Sequence, residues 1–196
     1  MPLTHLTSDV ALVMIDLQYG IVGMPIAPNP AGAVVARSAR LAEAFRAAGR
    51  PVFAVRVDHG PDGGAALRTP VDRPGVPPNL DPHWSTLVDE LGVRPGDIVI
   101  TKRQWSAFHG TDLDDQLRRR GVRDVVVTGL VTTLGVESSV RQSWEHGYRT
   151  IVVADAISGP SAEEHDAALR WVLPRISQVD DTDAVLDHLA KTFPPA

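Results

Sequence analysis

Three segments of the sequence end in groups that could carry out acid–base chemistry. Asp16 and Gln18 close the apolar run ALVMIDLQ, Lys102 follows DIVIT, and Leu134 and Gly135 lie where an apolar strand leads into an amphipathic helix. A carboxyl group can give or take a proton, and a lysine beside it adjusts its pKa. Backbone amides at a helix N-terminus favour an anion. The set predicts a site for proton transfer to a small, anionic molecule.

The sequence leaves the pKa of Asp16 open and gives residue 135 no side chain. Burial of Asp16 in an apolar wall raises the pKa of its carboxyl group, whereas a nearby Lys102 lowers that pKa, and the sequence leaves the balance open. Gly135 lies at a strand–helix junction, where a chain often presents a nucleophile, yet glycine has no side chain. We therefore expect chemistry that needs no nucleophile at this residue.

The elements that must position these groups alternate between strands and helices. Strands are predicted at 11–17, 51–57, 97–101, 122–130, 148–155 and 176–179, with helices between them that include 84–91 and 133–146. This alternation predicts one α/β domain over residues 1–196, a three-layer α/β/α arrangement with a six-stranded parallel sheet. Ligands of such sheets bind beyond the carboxyl ends of the strands. Residues 58–82, rich in Gly, Pro and Asp, are predicted to form a long surface loop.

The composition argues against several classes of function. A net charge of −5 does not suit a nucleic-acid-binding protein, and the absence of cysteine excludes disulfides, thiolate nucleophiles and iron–sulfur clusters. No segment approaches the roughly 20 apolar residues that span a bilayer, and no signal-peptide pattern is present. We expect a cytoplasmic protein with no membrane or nucleic-acid partner. Neither GxGxxG nor GxxxxGK[ST] occurs, so a nucleotide-phosphate cradle is not indicated.

The segments ALVMIDLQ, ITKRQWSAFHGTDLDDQL and VVVTGLVTTLGVESSVRQSWEHGYRTIVVADA follow one another across nearly the whole chain. In order and spacing they resemble the isochorismatase-like hydrolases. The resemblance implies a Rossmann-like six-stranded fold, a catalytic Asp-Lys-Cys triad and a non-proline cis peptide bond before the helix. Carried over, Asp16 matches the acid, Lys102 matches the lysine, and the cysteine position falls on Gly135. The cis bond would join Val131 and Thr132.

Glycine at the cysteine position separates this chain from the amidase members of that family. Nicotinamidases, N-carbamoylsarcosine amidases and ureidoacrylate hydrolases attack a carbonyl group through a thiolate, which Gly135 cannot supply. True isochorismatases also have glycine there, and they hydrolyse a vinyl ether by proton donation and water addition. A carboxylic acid such as Asp16 can donate that proton. However, those enzymes carry tyrosine where this chain has Val131, and a different loop follows their second strand, so the substrate stays open.

Further residues are expected to contact the substrate because they lie near the predicted strand ends or match the family's pocket. These are Gln18, His59, Arg68, Trp105, Phe108, Val131, Thr132 and Leu134. Arg68 on the long loop, rather than Arg56, is the favoured anchor for a carboxylate. Trp105 and Phe108 are equally compatible with a pocket wall and with a subunit interface.

A hydroxyl group could in principle replace the missing thiol. A serine or threonine nucleophile needs an adjacent base, commonly histidine. The pattern places no histidine beside the hydroxyl groups of Thr132 and Thr133, which lie with Leu134 and Gly135 at the start of the predicted helix, called the helix mouth below. We expect Thr133 to cap the helix, and Ser138 and Ser139 to pack or face solvent.

A metal site is also unsupported by the sequence. Metal-binding amidases of the family place an Asp-x-His after the second strand, but here Asp58 and His59 are adjacent and the next histidine is His83. A metal needs three or four convergent ligands. We expect a polar pocket loop, with no metal and no cofactor.

The favoured hypothesis is a metal-independent hydrolase of a small-molecule substrate, with Asp16 as acid–base, Lys102 as its charge partner and the Leu134 and Gly135 amides as an anion cradle. Alternatives are a catalytically silent protein that binds a metabolite or a protein partner, and an amidase that uses bound water. The resemblance also implies a homo-oligomer, either a dimer or a tetramer.

Overall fold

The computed structural model of the protein describes residues 3, 4, 6–73 and 81–194. Six strands form the sheet: Val10–Ile15 (β1), Val52–Val57 (β2), Ile98–Lys102 (β3), Asp124–Leu130 (β4), Arg149–Ser158 (β5) and Gln178–Asp180 (β6). The α-helices are Tyr19–Val22 (α1), Ala31–Ala47 (α2), Leu113–Arg119 (α3), Glu137–Glu145 (α4), Ala162–Trp171 (α5) and Thr182–Thr192 (α6). None of these helices has the length and apolar composition needed to cross a bilayer.

All neighbouring strands of the sheet run parallel, in the order β3-β2-β1-β4-β5-β6. The chain builds outward from β1 to β3 and then returns to add β4 on the other side of β1. The order therefore reverses between β1 and β4, and a crevice at the carboxyl ends of these two strands is where such sheets bind ligands. The predicted six-stranded parallel sheet is confirmed.

Two apolar layers cover the two faces of the sheet. Because successive side chains of a strand point to opposite faces, Leu12 and Met14 of β1 pack in the layer that contains α2 and α6. Val13 and Ile15 pack in the layer that contains α3, α4 and α5. β1 is buried along its whole length, which explains its continuous apolar sequence. The three-layer α/β/α arrangement is thereby confirmed.

The segment between β2 and β3 differs from its prediction. Instead of a helix over 84–91, it forms two short 3-10 helices, Pro82–Ser85 and Asp89–Leu91. Residues 86–88 between them are extended because their backbone pairs with the chain that leaves β1: Tyr19 N donates to the Thr86 carbonyl, and Val88 N donates to the Leu17 carbonyl. Residues 58–73 contain no strand or helix, in agreement with the predicted loop, whose residues 74–80 lie outside the described part.

Candidate active site

Asp16 is the first residue after β1, and its backbone leaves the strand sharply. Its φ of 53° is in the left-handed region, which residues other than glycine seldom adopt. The neighbouring strand passes close to this exit: an added Cβ atom on Gly129 of β4 would lie 2.0 Å from the Ile15 carbonyl oxygen. The turn aims the Asp16 side chain toward the start of the helix that follows β4, instead of into either apolar layer.

Lys102, the last residue of β3, meets Asp16 in a buried ion pair. Its Nζ lies 2.7 Å from Asp16 Oδ2, and both side chains are at most 5% exposed. Nζ also donates to the Gln104 carbonyl at 3.1 Å. The two side chains are thus within direct hydrogen-bonding reach, as expected from the sequence, although β2 separates their strands.

The two oxygens of the Asp16 carboxylate have different surroundings. Oδ2 is held by Lys102, whereas Oδ1 is buried and has no hydrogen-bond partner. Burial raises the pKa of this carboxyl group from 3.8 to about 6, and the charge and hydrogen bond of Lys102 oppose the rise. The sequence left open whether burial or Lys102 has the larger effect on the pKa of Asp16, and in the structure burial has the larger effect. With such a pKa the carboxyl group is protonated in about one molecule in ten at pH 7, against roughly one in a thousand for an unshifted group. Oδ1 is the free atom that can hold this proton.

Gly135 faces this carboxylate directly. A Cβ atom built on Gly135 would lie 2.9 Å from Asp16 Oδ2, 3.1 Å from Ile15 Cγ2 and 3.2 Å from the Leu130 carbonyl oxygen. Real Cβ atoms essentially never approach another heavy atom as closely as the first of these distances. The absence of a side chain at residue 135 thus leaves the space into which the Asp16 carboxylate projects.

The start of the helix after β4 is not the regular N-terminus that we expected. Thr132–Val136 form a single π-helical turn, and Glu137–Glu145 continue as α4. The Leu134 amide donates to the Val131 carbonyl at 3.1 Å, so the predicted cradle of two free amides is wrong for Leu134. No side chain caps this turn, and the prediction of Thr133 as the cap is also wrong: its hydroxyl donates to Glu164 instead.

The non-proline cis peptide bond lies one residue earlier than the resemblance implied. It joins Leu130 and Val131, not Val131 and Thr132. Because β4 remains paired with β5 through Leu130, the change of backbone direction begins directly at the strand end.

A buried serine joins the helix mouth to the loop that follows Lys102. The Ser139 hydroxyl donates to the Gly135 carbonyl at 2.6 Å and accepts from the Ala107 amide at 2.9 Å. A second link runs from the Ser106 hydroxyl to Gln142 Oε1 at 2.7 Å. Ser139 therefore packs inside, one of the two alternatives expected for the serines, and it holds the two halves of the site together.

Thr132 has a histidine partner that the sequence reading missed. Its fully buried hydroxyl lies 2.9 Å from Nδ1 of His165. His165 follows the capping box that opens α5, where Ser161 accepts from the Glu164 amide as predicted. Burial lowers the pKa of the His165 imidazole. Only the packing of α5 against the π-helical turn creates this pair, and no local signal in either segment indicates it.

Gln18 belongs to the framework of the site and does not face a substrate. Its side chain is fully buried. Its Oε1 accepts from the Val57 amide at 2.8 Å, and its Nε2 donates to the carbonyls of Val57 at 3.0 Å and Trp84 at 3.2 Å. The amide group thus imitates a strand backbone and ties the ends of β1 and β2 together. Because its amide group is used in this way, Gln18 is a structural residue, and its predicted contact with the substrate is wrong.

His59 lies at the carboxyl edge of the sheet, on the loop that leaves β2. Its ring stacks near the Trp84 ring, with 6.3 Å between centroids, and its Nδ1 is buried without a hydrogen-bond partner. Burial lowers the pKa of the imidazole, and the nearby charge of Lys102 lowers it further. The adjacent Asp58 is paired with Arg103. Among the described residues no group of three or more His, Cys, Asp or Glu side chains could hold a metal ion.

The other residues expected to contact the substrate differ in their burial. Phe108 is buried and stacks on His146, with 5.3 Å between centroids, so it belongs to the layer around α3 and α4 and its expected place in a pocket wall is wrong. Trp105 is 61% exposed, which leaves both of its alternatives open. Arg68 is exposed on the loop after β2. Val131 is buried, and Leu134 is half-buried against the apolar layer of α2.

Known proteins resemble this chain over most of its length. The isochorismatase domain model matches residues 10–184. The uncharacterized isochorismatase family protein YecD of Escherichia coli O157:H7 is 45% identical over 179 residues, which cover 91% of this chain and 95% of that protein. Ureidoacrylate amidohydrolase RutB of Methylorubrum extorquens is 38% identical over 171 residues, which cover 78% of this chain and 68% of that protein.

A solved structure extends the likeness to three dimensions. An isochorismatase family protein from Burkholderia thailandensis superposes with a TM-score of 0.93 at 49% identity, covering 96% of this chain and 98% of that one. The family model spans most of the chain, and the relatives named above include an amidohydrolase. The chain therefore belongs to the isochorismatase family of hydrolases.

Proposed function

We propose that this hydrolase cleaves a vinyl ether of a small, anionic molecule, as in the hydrolysis of isochorismate, with Asp16 as general acid. The proposal is supported above all by the asymmetry of the Asp16 carboxyl group. Lys102 holds Oδ2, and Oδ1 is buried and unpartnered, so the proton of the neutral acid resides on an atom that is free to donate it. The pKa of about 6 keeps that proton available near neutral pH.

The reaction needs no covalent intermediate. Asp16 Oδ1 delivers its proton to the terminal methylene carbon of the enol ether, which becomes a methyl group and leaves an oxocarbenium ion. Water adds to the cationic carbon and returns a proton to the carboxylate. The hemiketal then collapses to a 2-oxo acid and an alcohol. The Asp16 carboxylate itself projects into the space that Gly135 leaves, and residue 135 offers no nucleophile that could trap the cation.

Lys102 has two roles in this mechanism. Its ammonium group fixes Oδ2 and so orients Oδ1, and its positive charge stabilises the carboxylate that remains after proton transfer. The same charge limits the rise of the Asp16 pKa. An acid with a much higher pKa would hold its proton too tightly to protonate carbon efficiently.

The test is to incubate the protein with isochorismate in D₂O and follow pyruvate. We expect pyruvate whose methyl group carries one deuterium, because the transferred proton comes from a group that exchanges with solvent. Asp16→Asn, which keeps the size of the side chain and removes the acid, should lose this activity. Absence of pyruvate release by the native protein contradicts the proposal.

The similarity to ureidoacrylate amidohydrolase supports a second candidate, an amidase that activates a bound water molecule. In that reaction Asp16 acts as the base and must be ionised. Ammonia release from ureidoacrylate or nicotinamide, with a rate that rises with pH through about 6, would select it. If neither class of substrate reacts, the alternative of a catalytically silent binding protein is favoured.

We also propose that the protein works in the cytoplasm as a homo-oligomer, a dimer or a tetramer. Trp105, Trp144 and Trp171 are each more than half exposed, and large apolar side chains on a surface are typical of subunit contacts. Light scattering after gel filtration gives the number of subunits, and a monomer at micromolar concentration contradicts this part of the proposal.

A further inference from the structure

The mechanism proposed above does not use His59, which lies at the same edge of the sheet as Asp16 and Lys102. It follows β2 directly, and the residue before it is tied to β3, because Asp58 N donates to the Lys102 carbonyl at 3.1 Å. Its ring lies beside Trp84, whose own ring covers the backbone of Gly20 so closely that a Cβ atom there would overlap it. The imidazole therefore lies above the carboxyl ends of β1, β2 and β3, on the same edge of the sheet as the Asp16 carboxylate.

The chemistry of the ring is set by its two nitrogens. Nδ1 is buried without a hydrogen-bond partner. In a neutral imidazole one nitrogen carries the proton and the other is an acceptor, so Nδ1 is the acceptor when the proton is on Nε2. Burial and the charges of Lys102 and Arg103 favour this neutral form by lowering the pKa of the ring, while Asp58 opposes them.

A buried acceptor without a partner is costly for the protein alone, and a ligand that donates to it removes the cost. We propose that His59 is a specificity residue, whose Nδ1 accepts a hydrogen bond from an O–H or N–H group of the substrate. The inference rests on the proposed function, since it concerns the same site, and it narrows the substrate class to small anions that carry a hydrogen-bond donor. Asp16 Oδ1 then donates a proton to the reacting carbon, and His59 Nδ1 accepts a hydrogen bond from the donor group of the substrate.

The discrimination should be large because it acts against molecules of nearly equal shape. A site that is built to accept a hydrogen bond rejects a ligand that leaves its acceptor unpaired far more strongly than it rejects a small change of apolar volume. A methoxy group in place of a hydroxyl group offers no proton to Nδ1 and also adds volume. We expect such a replacement to weaken binding at least tenfold.

The experiment measures binding by the native protein of the three hydroxybenzoates and their methoxy counterparts, flat anions that contain no vinyl ether and are not turned over. We expect one hydroxybenzoate to bind at least tenfold more tightly than its methoxy counterpart. In protein labelled with ¹⁵N-histidine, that ligand should shift the Nδ1 resonance of His59 and leave the resonances of exposed His109 unchanged. Since no turnover is involved, the result is independent of whether isochorismate is hydrolysed.

Three substitutions assign the effect to the nitrogen atom. His59→Asn keeps an acceptor at the position of Nδ1 and should retain the preference, whereas His59→Phe keeps a flat ring without an acceptor and should abolish it. His109→Asn on the exposed part of the loop after Lys102 is the matched control and should bind as the native protein does. Equal affinity for hydroxy and methoxy ligands, an unchanged preference in His59→Phe, or no binding of any of these compounds overturns the assignment.

Discussion

Two buried aspartates lie at opposite ends of the central strands, and they are satisfied very differently. Asp124 at the amino end of β4 is 1% exposed, and both of its oxygens are engaged: Oδ2 accepts from the amide and the hydroxyl of Thr7, and Oδ1 accepts from Arg149 at 2.6 Å. Asp16 beyond the carboxyl end of β1 is 4% exposed, and only Oδ2 has a partner.

The difference separates a carboxylate that stabilises the fold from one that is kept ready to react. A buried oxygen that accepts no hydrogen bond is a local loss of stability, which proteins tolerate mainly where function needs it. At the amino edge of the sheet the Asp124 carboxylate is fully paired, whereas at the carboxyl edge Asp16 Oδ1 and His59 Nδ1 are buried without a partner.

The largest expected effect is that of exchanging the two carboxyl groups in turn for amides. Asp16→Asn should lower the rate of pyruvate release by about 10²- to 10⁴-fold, the usual contribution of a general acid, with an intact fold. Asp124→Asn should keep that rate and lower the free energy of unfolding by about 1–3 kcal/mol, because the amide cannot accept at all of the bonded positions. Rate assays and urea unfolding of both variants check this, and equal rates in the two variants would break the contrast.

The next effect concerns the space beside Asp16. Gly135→Ala puts a Cβ atom within 2.9 Å of Asp16 Oδ2, so either the carboxylate moves off Lys102 or the helix mouth shifts. We expect a loss of tenfold or more in kcat. Gly135→Cys should likewise abolish the native activity, and not confer an efficient amidase, because the space is occupied by the carboxylate.

A glycine elsewhere provides the control for this substitution. Gly32 lies in α2 with no atom within 4 Å of a built Cβ. Gly32→Ala should leave kcat unchanged and stabilise the protein slightly, by about 0.5–1 kcal/mol. Undiminished turnover in Gly135→Ala shows that the space at residue 135 is not used.

The pH dependence gives the third test, and its sign follows from the role of the acid. A general acid works in its protonated form, so kcat/KM should fall as pH rises through about 6, the pKa of Asp16. Lys102 lowers that pKa, so Lys102→Met should move the falling limb to higher pH while also lowering the maximal rate. A limb that stays in place in the Lys102 variant means that another group titrates.

The smallest effect is expected at the Thr132–His165 pair, behind the helix mouth. Thr132→Val removes the hydroxyl and leaves a buried imidazole nitrogen without its partner. We expect a loss of about 1–3 kcal/mol in the free energy of unfolding and at most a several-fold change in kcat, with an unchanged pH profile. A fall in kcat as large as that of Asp16→Asn would show that the pair takes part in catalysis and that the active site extends to α5.

The sequence predicted those parts of the molecule that depend on local pattern and strand order. The apolar run of β1 followed by Asp16, and the alternation of strands and helices, are enough to bring Asp16 and Lys102 to one edge of a parallel sheet. The capping box at Ser161 was readable for the same reason, since both partners lie within one helical turn.

What the sequence did not reveal depends on contacts between distant segments. The partner of Thr132 is 33 residues away, and the amide of Gln18 is used by residues of β2 and of the loop that covers it. Phe108, just beyond Lys102, was expected either in a pocket wall or in a subunit interface, but its ring is buried and stacks on His146. The π-helical turn at 132–136 has no signature that distinguishes it from the first turn of an ordinary helix.

The hydroxyl of Ser139 has a consequence for the dynamics of the loop after Lys102. Ala107 lies in an irregular segment, where amide protons ordinarily exchange with solvent within local, low-energy openings. Its N–H is nevertheless buried and bonded to a side chain that is itself anchored in α4. Its proton should therefore exchange as slowly as those of α4, since it is released only when the loop and the helix open together. Loop and helix then form one cooperative unit, and in Ser139→Ala the Ala107 amide, still buried but without its partner, should exchange faster than the amides of α4.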